Sequence, residues 1–205
     1  MKRQATTTPA AARQFQGRRM DDSRRESLLD ALLALVLAEG FASLTMDSFA
    51  AHGRCSKTTL YALGATKEAL VAALYRRFFR EATAAIDERI GRVTTQRQRI
   101  AEYLAGIGDE MSRMSAVCYD DMSQFAATRD IYEVNSRAAS NRVKRMIEDG
   151  IATGEFRAAN ARFVGESVGL LIDAIMHGVL LQRTGLTSGR AYNEIATLVL
   201  NALTP

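Results

Sequence analysis

The stretch Thr45-Met46-Asp47-Ser48-Phe49-Ala50-Ala51-His52-Gly53-Arg54-Cys55-Ser56-Lys57-Thr58-Thr59-Leu60-Tyr61-Ala62-Leu63 decides how the rest of the chain reads. Thr45 and Ser56 are good N-cap residues, because a side-chain oxygen can accept from the free N–H groups of a first helical turn. They introduce two short helices, roughly 46–52 and 57–63, neither of which would be stable alone. Phe49 and Ala50 face inward from the first, Cys55 fills the space at the turn, and Leu60 and Leu63 face inward from the second. Lys57, Thr58, Thr59 and Tyr61 are left on the outer side. Two short helices around a tight turn form a helix-turn-helix, whose second helix can project its N-terminal end into a DNA major groove. Lysine can meet phosphate or guanine edges. Threonine offers a hydroxyl and a methyl, and tyrosine can donate to phosphate. The competing reading is the solvated face of a surface helix.

Upstream, Ser23 and Glu26 have capping-box spacing. Leu28, Leu29, Leu32, Leu33 and Val36 then recur at helical intervals up to Gly40, which predicts a helix over 24–39. Downstream, Thr66 caps a longer helix over 67–90 with Leu70, Leu74, Phe78 and Ile86 on one face. Further helices are expected near 95–114, 116–127, 129–152, 160–183 and 190–203, about nine in all. The 205 residues contain only two prolines, Pro9 and Pro205, and no stretch alternates apolar and polar residues long enough for a strand. An all-α fold follows. Residues 1–20, basic and poor in large apolar groups, read as a disordered arm. Residues 21–66 read as the helix-turn-helix domain, and 67–205 as a helical effector-binding and dimerisation domain reached through the long fourth helix.

The net charge of +4 is uneven: residues 1–90 hold 14 Lys and Arg against 10 Asp and Glu, whereas 91–205 hold 13 of each. An N-terminal excess of positive charge suits a polyanion such as nucleic acid, and equally a solvated surface with a basic tail. The longest near-apolar run, Leu28 to Ala38, is interrupted by Asp30 and is far short of the roughly 20 residues that span a membrane. A cytoplasmic protein with Cys55 and Cys118 reduced is expected. The two cysteines and two histidines, His52 and His177, have no metal-ligand spacing. No phosphate-cradling glycine loop, nucleophile elbow or paired acids at ligand spacing are present, so neither an enzyme nor a cofactor is expected. A helical-bundle enzyme and an architectural DNA-binding protein without effector are the alternatives to a regulator.

Gly40-Phe41 to Thr45-Met46, Phe49-Ala50, Ser56-Lys57-Thr58-Thr59-Leu60-Tyr61 and Thr66-Lys67-Glu68-Ala69-Leu70 together resemble the DNA-binding domain of the TetR family of transcriptional regulators. The resemblance covers roughly residues 24–75. It implies that Thr45 and Lys67 contact phosphates from the starts of their helices, with Lys57, Thr58, Thr59 and Tyr61 at the groove; Ser56 is a further DNA-binding candidate. It also implies a homodimer, a palindromic double-stranded DNA operator, and a C-terminal domain that binds a small molecule and releases DNA. Two positions depart from the family. The turn usually runs Ala-Gly-Val, whereas here it is Gly53-Arg54-Cys55. Arg54 therefore occupies the left-handed position, at about 1–2 kcal/mol, or the turn is reshaped around Gly53; Arg54 is also a candidate phosphate contact. Gly64 stands where the family has an aromatic residue, which predicts looser packing between the third and fourth helices.

In the C-terminal part, Met111, Met114, Tyr119, Met122 and Phe125 belong to a methionine and aromatic stripe suited to an adaptable pocket, or to ordinary core. Asp173 and His177, four apart, could add polar contacts to an effector or satisfy each other. The helix expected over 160–183 is apolar on more than one face and carries Gly165 and Gly169. A dimer seam with the last helix, through Phe163, Gly169, Ile172, Met176, Val179 and Leu198, explains this; the centre of a monomeric bundle is the other explanation.

Overall fold

The computed structural model describes residues 9–204, with side chains from Asp22 onward. Its ten helices are α1 (Pro9–Glu39), α2 (Met46–His52), α3 (Lys57–Leu63), α4 (Lys67–Gly91), α5 (Gln96–Met111), α6 (Ala116–Gln124), α7 (Ala126–Ala152), α8 (Ala161–Met176), α9 (Val179–Thr184) and α10 (Ser188–Leu203). No strand occurs among the described residues.

Two expectations are corrected by this order. The first helix starts at Pro9 rather than at residue 24; residues 1–8 of the expected arm lie outside the described residues. Proline is well tolerated at a first helical position, and Ala10 to Ala12 with the Arg and Gln that follow are strong helix formers. Ser23 is therefore mid-helix, accepting from the Ser27 hydroxyl through its carbonyl, and Glu26 pairs with Arg77 instead of closing a capping box. The helix expected over 160–183 is two helices, because Gly178 takes a left-handed φ of 69° that a continuous helix cannot accommodate.

The caps expected at Thr45, Ser56 and Thr66 are all made: their hydroxyls accept from the backbone N–H of Ser48, Thr59 and Ala69 at 3.1 Å. Gly40 ends the first run with φ 75° and turns the chain towards α2. Leu32, Leu33, Val36 and Leu37 of α1 close over Phe49 and Leu60, both with no exposed surface, to build a three-helix head. α4 leaves the head and runs into the bundle, burying Leu70, Leu74, Phe78 and Ile86 along one stripe. Arg77 on its other side binds Glu26 and Asp30 of α1 and Glu81 of α4, fastening the two long helices together.

In the bundle, α10 lies against α5 and α8, and α7 lies between α4 and α8. Tyr192 of α10 is fully buried against Gly108 of α5, where a Cβ would come within 2.9 Å of the tyrosine. The small-residue pair on α8 serves the protomer. A Cβ on Gly169 would meet Ser140 Oγ at 2.3 Å, and one on Gly165 would meet the Ser140 carbonyl oxygen at 3.1 Å, so α7 occupies that groove.

Candidate functional site

α3 presents Lys57, Thr58, Thr59 and Tyr61 to solvent, with Tyr61 50% exposed, while Leu60 between them has no exposed surface. Ser56 and Thr45 are exposed at the N-termini of α3 and α2, where free N–H groups and the helix dipole favour an anion. Thr59 is engaged locally, its hydroxyl 2.9 Å from Ser56 Oγ. Lys57 Nζ sits 2.6 Å from Asp47 Oδ1 across the α2–α3 angle, and that hydrogen bond and charge raise the lysine above its ordinary value. Lys67, half-buried, donates to the Ala42 carbonyl at 2.7 Å, which leaves two of its N–H groups for a phosphate.

The turn settles the alternatives posed by Gly53-Arg54. Arg54 holds the left-handed conformation at φ 48°, among the described residues the one non-glycine with positive φ, and is exposed. Gly53 is right-handed, and its lack of a side chain is a matter of space, because a Cβ would come within 2.4 Å of Leu28 Cδ1. The glycine permits α1 to approach the turn, so the left-handed position falls on arginine. Gly64 overturns the expectation of loose packing: a Cβ there would lie 2.4 Å from the Leu70 backbone nitrogen, so α3 and α4 meet more closely than a side chain would allow.

A second constellation lies in the bundle. A cleft of about 150 Å³ is bordered by Tyr119, Met122, Tyr132, Asp173, Met176 and His177. Beside it, a narrower space of about 80 Å³ is lined by Met111, Tyr132, Ser136 and Tyr192 among others. Tyr132 donates to Asp173 Oδ1 at 2.8 Å, Ser136 to the same oxygen at 3.3 Å, and His177 Nδ1 approaches the Asp173 carbonyl at 2.8 Å. Tyr119 donates to the Met111 carbonyl at 2.5 Å. Burial, then the charges of Tyr119, Tyr132 and Asp173, push the Tyr192 hydroxyl well above its ordinary range.

No protein-family model matches the sequence, and no curated protein matches it either. Solved structures do. A TetR transcription regulator from Haloarcula marismortui superposes with TM-score 0.75 at 18% identity, over 90% of this chain and 100% of its own. A protein of Saccharomonospora viridis assigned as a transcriptional regulator, solved with choline, gives 0.73 at 15% over 90% and 99%. The regulator FadR from Bacillus subtilis, solved with stearoyl-CoA, gives 0.69 at 14% over 86% and 97%. The fold is that of TetR-family transcriptional regulators.

Within this TetR-type fold, Tyr119, Met122, Asp173 and His177 meet at one cleft, whereas Met111 borders the neighbouring space and Met114 is buried away from both. Phe125 packs against Phe41, ring centroids 4.9 Å apart and planes tilted by 57°, and lines a separate cavity beneath the α1–α2 turn. Of the six residues expected at a dimer seam, Phe163, Val179 and Leu198 are exposed apolar side chains. Ile172 and Met176 are buried within the protomer, and Gly169 is covered by α7. Among the described residues no group of three or more His, Cys, Asp and Glu could hold a metal ion, and no helix is long and apolar enough to cross a membrane.

Sequence reasoning missed Asp121. Its buried carboxylate accepts from the backbone N–H of Phe41 at 2.5 Å and of Ala42 at 2.7 Å, tying α6 to the junction of α1 and α2. Ser115 at the start of α6 adds a backbone bond to the Leu37 carbonyl at 2.8 Å. Tyr75 reaches α6 from α4, its hydroxyl 2.9 Å from Cys118 Sγ; burial pushes that thiol up to about 11. One side of α6 thus grips the head while Tyr119, Met122 and Ser123 line the cleft. The signal was present in the spacing: Asp121 is three residues beyond Cys118 and beside Met122, on a face that must be buried.

Proposed function

We propose that the protein is a DNA-binding transcriptional regulator, a homodimeric repressor that a small-molecule effector releases from a palindromic operator in the cytoplasm. The observation that carries this is the outer face of α3, where Lys57, Thr58, Thr59 and Tyr61 stand exposed on a helix whose inner residue, Leu60, is locked in the head. A four-residue polar face held rigidly at the outer edge of a three-helix unit suits insertion into a major groove. Arg54, Ser56, Thr45 and Lys67 flank it as phosphate partners.

The homodimer is supported by Phe163 and Leu170, seven residues apart on one face of α8 and 69% and 71% exposed, together with Val179 and Leu198. Exposed apolar side chains of this size suit an interaction surface. Effector release is supported by the cleft beside α6 and by the complexes of two neighbours of the same fold with choline and with stearoyl-CoA. If displacing α6 disfavours the DNA-competent arrangement, a ligand that binds better to the displaced form weakens DNA binding, and operator DNA weakens the ligand by the same factor.

The test is DNA binding by fluorescence anisotropy, using an operator selected from random duplexes. Lys57→Ala and Tyr61→Ala should each weaken binding by about 1–3 kcal/mol with helicity unchanged. Wild-type affinity in the double variant would remove α3 from the groove.

A further inference from the structure

We infer that the cleft between α6, α7 and α8 is a binding site for a small organic cation, with Asp173 as counter-ion and aromatic walls of Tyr119 and Tyr132; this rests on the effector reading above and names its ligand class. Asp173 comes to the cleft from α8, half-buried, and both hydroxyls that reach it, from Tyr132 and Ser136, use Oδ1. Oδ2 has no protein hydrogen-bond partner, and no Lys, Arg or His side chain pairs with Asp173, among the described residues. A half-buried carboxylate given only neutral donors keeps its need for a positive charge.

The surroundings carry both signs. Asp173 also borders an outer groove between α7 and α8 that carries Glu133 and Glu166, and neither glutamate is ion-paired within the described residues. Arg129 lines the cleft itself and Arg137 the outer groove; these two arginines and the two glutamates are all exposed, so water screens all four and the half-buried Asp173 carboxylate sets the sign of the cleft. Tyrosine faces are favourable for a cation out of water. A fatty acid or other anion would have to be desolvated against Asp173.

An independent sign that a ligand belongs here is the Tyr192 hydroxyl. It is buried and has no hydrogen-bond partner, and Tyr192 lines the space that adjoins the cleft through Tyr132. Buried polar groups are nearly always satisfied, so an orphaned hydroxyl beside a cavity is a contact awaiting its partner. It can accept an N–H or donate to a ligand oxygen. Size bounds the ligand further: a cavity of about 150 Å³ accommodates a molecule near the size of benzene. The group that meets Asp173 is therefore a compact amine, and the outer groove of about 500 Å³ that Asp173 also borders leaves room for a longer substituent.

Three probes of one shape and different charge test this on the full chain: benzylamine, protonated at pH 7, benzyl alcohol and benzoate, each titrated by calorimetry without DNA. Benzylamine should bind at least tenfold more tightly than the other two. Asp173→Asn should abolish that preference while leaving the weaker binding of benzyl alcohol unchanged, which shows that the variant is folded. Tyr192→Phe should weaken benzylamine less than Asp173→Asn does. Equal binding of the amine and the alcohol, an amine preference that survives Asp173→Asn, or no binding of the amine at millimolar concentration would each overturn the assignment. The same amine is then added to the protein–operator complex. Amine binding that leaves operator affinity unchanged retains the cation site and removes the effector reading. Operator release by benzoate but not by the amine retains an effector and removes the cation.

Discussion

The head and the bundle handle polar side chains in opposite ways. In the head they point outward: Lys57, Thr58, Thr59 and Tyr61 are exposed around a core of Phe49, Leu60 and the α1 leucines. In the bundle they are drawn inward: Asp121 is buried, Tyr75 and Tyr192 have no exposed surface, and Asp173 is half-buried between two hydroxyls. A surface meant for a polyanion needs charge in water and a rigid support, both of which a few adjacent residues supply. A site meant for a small molecule needs polar groups out of water, and these must come from several helices because no single helix surrounds a cavity.

The sharpest way to break the contrast is to separate the two heads of the proposed homodimer. Phe163→Arg lies on the exposed face of α8, so it should cost the isolated protomer little, whereas an unpaired charge in a dimer seam is strongly unfavourable. The variant should sediment as a monomer with unchanged helicity and lose about a hundredfold or more in operator affinity, since two linked half-site contacts become one. An unchanged dimer in light scattering would place the seam elsewhere.

Next in size is the joint between the regions. Asp121→Ala deprives the Phe41 and Ala42 N–H groups of their acceptor, and Phe41 is buried. Losing a charged acceptor and leaving a donor unsatisfied costs about 2–3 kcal/mol. Thermal unfolding should shift down accordingly, and operator release by the effector should weaken more than operator binding itself. Asp121→Asn, which keeps an oxygen at the same place, should retain most of both. If Asp121→Ala leaves effector response intact, α6 does not carry the signal through this contact.

The same contrast explains what was legible in the sequence. Thr45, Ser56 and Thr66 cap the helices assigned to them because a cap acts within three residues, and Leu70, Leu74, Phe78 and Ile86 line up because helical periodicity is local. The cleft was only half legible. Tyr119, Met122, Asp173 and His177 do meet, but Met114 and Phe125, equally plausible from composition, are elsewhere. Nothing in the spacing links Tyr132 to Asp173, 41 residues away, or Phe41 to Asp121, 80 away. Gly169 shows a related limit: a small residue on a helix announces a close neighbour without naming it, and within the protomer that neighbour is α7.

The smallest effect tests whether the head stores strain for its contact with DNA. Arg54 holds φ 48° at the turn, at about 1–2 kcal/mol for a residue with a Cβ. Arg54→Gly removes that cost but gives the unfolded chain more freedom, worth roughly 0.5–1 kcal/mol against folding. A net gain of up to about 1.5 kcal/mol remains, at most about 3–6 °C in Tm for a chain of this size. Against DNA the same change should act in the other direction. Arg54 is exposed beside Ser56 at the start of α3, where a guanidinium can reach a phosphate. Its loss should weaken binding evenly across operator sequences and lower the salt slope by about one. A variant that is stabilised and loses affinity means the arginine is kept at the left-handed position for its charge. If it is stabilised with unchanged affinity and salt slope, the turn bears the strain only because Gly53 is committed to the approach of Leu28.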